Sequence, residues 1–445
     1  MSTHLILQSI MVAFHYMKKE QFPLLSSQNH DWAHVLYSRM KTDIYGLDTN
    51  DCLSILKPKI DHCVGLKEVR ELMQTPPSSW RIKYGIDPTG TQIHLGHLAP
   101  LFLVRVLHRI GAHVDIVIGD FTARVGDPSG RSTARPLLTE EQIEKNWQGY
   151  TTALTPYFDI TSPNITLHRN STWIERDFPL SKILAILKSL PLSILIQRED
   201  IRTRITDGGS VSFAEALYPV LMGIDSITLR TTLEIGGRDQ ELNFWICRAV
   251  QRAVGMDQEY ALCTPIIEGT SGDGRKMSKS FNNYISADAS GDDIFGLVMS
   301  TPDETILKWW PVFGEIFEYE LEALKRGCRE NPLEAKKQLG MLLVSLRMGG
   351  IEHALHVRSE FERKFSKRVL YDDDYIPVSL KKNELLITAL CSALPTRSKS
   401  EWRRLIEQHA VKKINKAGYQ IMDETMVVSP GDKIQVGKRE RYFFK

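Results

Sequence analysis

No two of the six cysteines, Cys52, Cys63, Cys247, Cys263, Cys328 and Cys391, stand in a C-x-x-C or C-x-x-H spacing. That absence argues against a zinc site and against a disulfide framework, and the expected compartment is a reducing cytoplasm. Long apolar runs are also lacking, since no segment approaches the roughly 20 residues of a membrane-spanning helix. The apolar start, residues 1–14, has no basic leader and is broken by Gln8 and Ser9, so it reads as an ordinary extension. Neither internal repeats nor low-complexity tracts occur. Charge is nearly balanced at +2 overall, which excludes a generally polybasic chain. From Ile376 onward, however, 14 Lys and Arg stand against seven Asp and Glu. A basic tail on an acidic body fits a separate module that meets a polyanion, although a solvated charged face has the same composition.

What is present is a soluble, globular composition, 42% hydrophobic and 25% charged, over 445 residues, enough for two or three domains. Residues 1–60 are polar and irregular. From there, Ile82-Lys83-Tyr84-Gly85-Ile86 reads as a strand, Asp87-Pro88-Thr89-Gly90 as a turn, and Leu98 to Arg109 as a helix. Val114 to Asp120 is the next, doubly buried strand. Helices are expected over Leu180 to Arg198 and Ala214 to Met222, a strand over Ser226 to Thr231, and a strand-like Glu234 to Gly237 before an amphipathic helix from Gln240 to Val254. This alternation predicts an α/β fold with a doubly wound parallel sheet of Rossmann type, whose ligands lie beyond the carboxyl ends of its strands. From 291 to 371 the apolar spacing of three and four is almost wholly helical, in Phe317 to Gly327, Leu333 to Leu346 and Glu352 to Phe365.

Two peptides carry chemistry. His94-Leu95-Gly96-His97 places two imidazoles three residues apart at a helix start, where they share a face. Lys276-Met277-Ser278-Lys279-Ser280 places two ammonium groups on a loop preceded by Gly272 and Gly274. When a carboxylate attacks the α-phosphorus of ATP, negative charge builds on that phosphate and on the departing pyrophosphate. Imidazole donors and mobile ammonium groups stabilise that charge more in the transition state than in the ground state. Alone, the first string is more often two ordinary histidines and the second as readily a basic turn. Together, in this order and each at a strand end, they describe a site that opens ATP. Asp127-Pro128-Ser129-Gly130 and Gly236-Gly237-Arg238-Asp239-Gln240 add close-approach turns at two further strand ends.

Lys83-Tyr84-Gly85-Ile86-Asp87-Pro88-Thr89 with HLGH, Gly119 to Ser132, Tyr218 with Asp225, the GGRDQ turn and the lysine loop together resemble the class I aminoacyl-tRNA synthetases, most nearly the bacterial tyrosyl-tRNA synthetases. The likeness runs from about residue 65 to the C-terminus. It implies Mg-ATP-dependent formation of an aminoacyl adenylate from tyrosine, then transfer to the 3′ end of tRNA, by a homodimer. It places His94, His97, Thr89, Lys276 and Lys279 on the triphosphate as the catalytic set. Gly85, Asp87, Gly96, Gly237, Asp239, Met277 and Ser278 would bind the rest of ATP. Lys83, Tyr84, Asp127, Tyr218, Met222, Asp225 and Gln240 would surround the amino acid, with Asp225 accepting the phenolic hydroxyl. An unpaired carboxylate there rejects phenylalanine.

The tail resembles the S4 RNA-binding module. Its helix Ser400 to Gln408, the strand Val411 to Asn415 and a hairpin from Gly431 to Lys438 would present Arg403, Arg404, Lys412, Lys413 and Lys438 to tRNA phosphates. The implied organisation is an N-terminal extension (1–60), a catalytic domain (61–290), a helical tRNA-binding domain (291–371) and the S4-like domain (376–445), with no protein-ligated metal. Three residues depart from the family pattern: Met222 replaces a glutamine, Arg238 a small hydroxyl residue and Arg124 an apolar residue. With two guanidiniums and a lost amide near one pocket, tyrosine stays the leading substrate, and the alternative is a specialised paralogue that activates a different or modified amino acid. Other readings are a tRNA-free ligase, which the basic tail disfavours, and a non-catalytic RNA-binding relative, in which the histidines and lysines would have no task.

Overall fold

A computed structural model of the chain describes residues 25, 31–42, 44, 47–90, 92–127, 138–191, 193, 199–366, 374–380, 383–394, 397–415, 418–437 and 440–445. Two compact units result, Met1–Arg358 and Ser359–Lys445.

The first unit is built on a six-stranded sheet in the order β1-β6-β5-β2-β3-β4, with β1 His62–Val64, β2 Arg81–Ile86, β3 His113–Ile118, β4 Ile165–Arg169, β5 Leu233–Gly237 and β6 Tyr260–Thr264. Every pairing is parallel except β1 with β6. The parallel strands are joined through helices, so the sheet is doubly wound as the alternation of patterns implies. Its central strands carry apolar residues on both faces, with Ile82, Val114, Ile116, Val117 and Ile235 buried. Three charges break this rule, Lys83 on β2, Asp115 on β3 and Glu234 on β5. Lys83 and Glu234 lie directly opposite each other on β2 and β5.

Residues 1–60 are not all irregular. Helix α1, Trp32–Lys41, buries Trp32 edge-on against Trp310 at 5.6 Å, and its Arg39 forms a buried ion pair with Glu320 at 2.7 Å. Thr49–Leu56 forms a second helix capped by Asp48, whose side chain accepts from Asp51 N. Sequence periodicity over such short, mixed segments is weak, and packing against the later helices supplies the order.

Helix α2, Leu95–Arg109, follows β2, and α3, Phe213–Leu229, leads into β5. A Ser212–Glu215 capping box opens α3, and Arg204 clamps the same glutamate in a buried, two-pronged ion pair. The strand expected over Ser226 to Thr231 is therefore a correction. Helix α3 continues to Leu229 and ends on Arg230 in the left-handed conformation (φ 52°), with the strand starting at Leu233. Leu229 and the partly buried Ile227 pack there into a core cluster with Val220, Leu221 and Ile224, and this tertiary packing overrides the local strand propensity. The helix that opens the stretch expected over Leu180 to Arg198 closes at Leu187, before Pro191, and residues 192 and 194–198 of that stretch lie outside the described residues. After α4, Glu241–Ala253, come α5, Asp303–Phe313, and α6, Pro332–Met348, within a run of helices.

The second unit carries a five-stranded sheet, order β10-β9-β12-β13-β7, with β7 Ile376–Val378, β9 Val411–Asn415, β10 Gly418–Ile421, β12 Lys433–Val436 and β13 Glu440–Phe444, beside a two-stranded ladder of β8 Glu384–Leu385 with β11 Val427–Val428. Helix α7, Lys399–Glu407, drives Trp402 into a core of Leu386, Leu390, Val411, Ile434 and Phe444. The strand read from the sequence is present, whereas Gly431 to Lys438 holds one strand, β12, whose antiparallel partner β13 lies beyond the expected hairpin.

Candidate active site

A cavity of about 480 Å³ opens at the carboxyl ends of β2 and β5 and is lined by residues of both peptides and of the GGRDQ turn and by Asp127, while Pro128, Ser129 and Gly130 lie outside the described residues. His94, His97, Thr89, Lys276 and Lys279 line it, as do Gly85, Asp87, Gly96, Gly237, Asp239, Met277 and Ser278. Lys83, Tyr84, Asp127, Tyr218, Met222, Asp225 and Gln240 complete the wall. Residues spread over almost two hundred positions thus converge because the parallel strands bring their carboxyl ends to one edge.

His94 is the residue that precedes α2, and His97 sits in its first turn, with ring centroids 3.9 Å apart. The His94 backbone N–H donates to His97 Nδ1 at 3.2 Å. A neutral His97 therefore carries its proton on Nε2, and that edge of the ring is a donor. Burial, the neighbouring His97 and the two loop lysines push the His94 imidazole down to about 2. His94 is consequently neutral at physiological pH, a hydrogen-bonding group rather than a fixed charge.

The lysine loop is pinned to the sheet edge. Met277 N donates to Ile267 O at 2.7 Å, and Asn283 braces both sides, accepting from Ser278 N and donating to Lys276 O. Lys279 Nζ donates to Gln92 O at 2.5 Å, and burial lowers its pKa. Lys276 Nζ lies 3.7 Å from Asp239 Oδ2 in a half-exposed pair, a weak tether. Both ammonium groups are held by contacts that a polyphosphate would replace.

On the opposite wall, Asp87 accepts from Thr122 Oγ1 at 2.8 Å and Tyr218 OH at 3.0 Å. The approach is close enough that a Cβ on Gly119 would lie 1.9 Å from Asp87 Oδ1. Gln240 Nε2 donates to Asp127 Oδ2 at 2.9 Å and is itself braced by Asn243. Tyr84 points its hydroxyl at His97 O, 3.3 Å away, so it supports the head of α2. Asp225, 4% exposed, accepts from Trp173 Nε1 at 2.8 Å and from Asn170 Nδ2 at 3.3 Å. Burial pushes its carboxyl up to about 7, against the pull of Lys83 and those two donors.

Sequence reading missed Asn170, Trp173, Thr122 and Glu234. Asn170, fully buried, ties Phe121 N, Thr122 and Asp225 together. Only Glu234 had a legible signal, a carboxylate inside the apolar run Leu233-Glu234-Ile235. Arg124 and Arg238 correct the expectation in the other direction. Arg124 pairs with Glu140 at 3.2 Å and Glu175 at 3.5 Å, and Arg238 with Glu241 at 3.2 Å and Asp61 at 3.7 Å. Neither lines the cavity. Of the three departures, only Met222 does, its backbone carbonyl accepting from Lys83.

In the second unit, Arg403 and Arg404 are exposed on α7, while Arg403 already pairs with Glu424 at 3.0 Å. On β9, Lys413 pairs with Asp432 at 2.8 Å, and Lys412 lies over the Tyr419 ring. Lys438 falls outside the described residues. Among the described residues, no helix is long and apolar enough to cross a membrane.

The model of tRNA synthetases class I (W and Y) matches residues 76–365. The chain belongs to that family. It is 34% identical over 409 residues to a tyrosine--tRNA ligase 2 of Photorhabdus laumondii, covering 91% of this chain and 99% of that one. It is 32% identical to the tyrosine--tRNA ligase of Thermotoga maritima (88% and 96%) and 35% identical to that of Nitrosomonas europaea (81% and 88%). Its fold matches a C-terminally truncated mitochondrial tyrosyl-tRNA synthetase of Aspergillus nidulans, with TM-score 0.59 at 20% identity over 75% of this chain and 98% of that one. The tyrosyl-tRNA synthetase of Archaeoglobus fulgidus, complexed with L-tyrosine, gives 0.54 at 20% identity over 70% and 100%.

Proposed function

We propose that this family member activates tyrosine with Mg-ATP and transfers the tyrosyl group to the 3′ end of tRNA. The observation that carries the reading is the single cavity in which HLGH and the lysine loop face the Tyr218–Asp225 pocket. The tyrosine carboxylate attacks the α-phosphorus, the bond to the β-phosphate oxygen breaks, and pyrophosphate leaves. His97 through Nε2–H, His94 and Thr89 donate to the developing charge, while Lys276 and Lys279 leave Asp239 and Gln92 to neutralise pyrophosphate. The terminal ribose hydroxyl of tRNA then attacks the acyl carbon and releases AMP.

Asp225 and the Tyr218, Asp127 and Gln240 group give the amino acid its two polar ends. Magnesium would arrive on the triphosphate. Glu234, Cys247 and Glu259 lie close enough together to hold an ion, but the Lys83 ammonium already pairs with Glu234 there, so a second cation is disfavoured. The tail would bind tRNA backbone through Arg403, Arg404, Lys412, Lys413 and Lys438. Exposed apolar side chains on Leu180, Leu184, Ile205 and Phe213, the last 89% exposed, support self-association as a homodimer.

The test is amino-acid-dependent pyrophosphate exchange across all common amino acids and ring-substituted tyrosines. Exchange with tyrosine is expected to exceed that with phenylalanine by at least about 10⁴-fold. Strong exchange with another amino acid and none with tyrosine would sink the reading.

A further inference from the structure

The floor of the amino-acid pocket holds a charge cluster that the reaction itself does not use. Lys83 is 2% exposed and faces Glu234, 1% exposed, across the β2–β5 register at 2.9 Å. Its other N–H groups go to Met222 O at 2.8 Å and Ser226 Oγ at 2.7 Å. An ammonium has three donors, and all three are taken by protein acceptors, so none is left for a bound amino acid. Lys83 cannot serve as a direct substrate contact. Its placement is nonetheless specific: Met222 and Ser226 flank Asp225 within one turn of α3, so the lysine is bolted to the segment that carries Asp225.

We propose that Lys83 is a positioning residue for amino-acid recognition, its ammonium keeping the Asp225 carboxylate in place and in its acceptor form. The inference rests on the reading of Asp225 as the partner of a phenolic hydroxyl. An ionised carboxylate in so dry a site needs a nearby cation, and Lys83 is the cation that bears on it. Burial alone would lower the Lys83 pKa, but Glu234, Cys247, Glu259 and Asp225 outweigh it and hold it well above the ordinary range, so the charge is permanent.

The other groups around Asp225 act in known directions. Trp173 and Asn170 support the carboxylate through their hydrogen bonds, and Glu234 opposes it. His168 packs its ring 5.7 Å from Trp173 on the far side. Glu259, fully buried beside Glu234, has its pKa raised well above normal by burial and by that neighbour. Lys83 remains the cation that biases Asp225.

The experiment is the pH dependence of KM for tyrosine in pyrophosphate exchange by the full chain, with KM for ATP followed alongside. In the unsubstituted chain, KM for tyrosine should fall as pH rises through about 7, where Asp225 ionises. Lys83→Met should move that midpoint up by a unit or more and raise KM at neutral pH about tenfold or more, with KM for ATP little changed. Glu234→Gln, made together with Glu259→Gln so that the neighbour cannot take over the charge, removes an opposing charge and should move the midpoint down. Opposite displacements are beyond a merely structural role, which would raise KM by one factor at every pH. Such a uniform rise, or an unmoved midpoint, overturns the proposal. Where Lys83→Met does not fold, the direction given by Glu234→Gln with Glu259→Gln decides: downward supports the proposal, upward or unmoved defeats it. Absence of tyrosine-dependent exchange at all pH values in the unsubstituted chain defeats the functional reading and this inference together, whereas exchange with a flat KM profile defeats the inference alone.

Discussion

One methyl group added at two glycines of the same cavity should separate protein architecture from ligand space. At Gly119 a Cβ would stand 1.9 Å from Asp87 Oδ1 and 2.3 Å from Thr122 Oγ1. Carbon and oxygen do not approach closer than about 3 Å without a bond, so the Asp87 carboxylate must retreat by about 1 Å. That movement breaks the hydrogen bonds from Thr122 at 2.8 Å and Tyr218 at 3.0 Å. Each such bond to a charged group is worth about 1.5–3 kcal/mol, and overpacking adds about 1–3 kcal/mol. Because partial relaxation recovers some of this, Gly119→Ala should cost about 2–4 kcal/mol of stability.

Displacement of Asp87 and Tyr218 should also lower kcat/KM for adenylate formation by about 10²-fold. At Gly85, by contrast, a Cβ meets nothing within 4 Å. Gly85→Ala should therefore leave stability within about 0.5 kcal/mol while filling space that the nucleotide needs. Its signature is a raised KM for ATP with an unmoved melting temperature. Urea unfolding and pyrophosphate exchange on both variants read the two quantities separately. If Gly119→Ala exchanges normally, the Asp87 position does not matter to the reaction. If Gly85→Ala binds ATP normally, the open space beside β2 is not the nucleotide site.

Lys279→Ala removes an ammonium whose resting partner is a backbone carbonyl, so stability should hardly change, while kcat for exchange should fall about 10²–10³-fold with KM for tyrosine near its original value; a rise in KM for ATP at constant kcat would mean ground-state binding only. In tRNA filter binding, Arg404→Ala and Lys412→Ala should each reduce the salt slope by about one and weaken binding, whereas Arg403 and Lys413, already paired with Glu424 and Asp432, should contribute less. Equal losses at all four positions would refute the ranking, and any effect on tyrosine-dependent exchange would refute the assignment of these residues to tRNA alone.

The HLGH and lysine-loop strings, the doubly wound alternation and the basic tail were legible because each depends on residue type and short spacing. Periodicity located β2, β3 and α4 for the same reason. It failed over Ser226 to Thr231, where buried Ser226, Leu229 and Thr231 and exposed Thr228 and Arg230 follow one another over too few residues for the period of a helix end to be told from that of a strand. It failed again over α1, whose Trp32 and Arg39 gain their meaning only from Trp310 and Glu320, almost three hundred residues away.

Chemistry at the nucleotide end was thus written into the chain locally, in histidines, lysines and turn glycines whose types alone suit a polyphosphate. Which of the unusual residues belongs to the pocket was decided by the tertiary structure. Arg124 and Arg238 turn outward to carboxylate partners that no spacing announces, while Lys83 and Glu234 meet because two strands 150 residues apart are laid side by side in register. Charge pairing across a sheet is a property of register, and register is set by the packed core rather than by any one stretch of sequence.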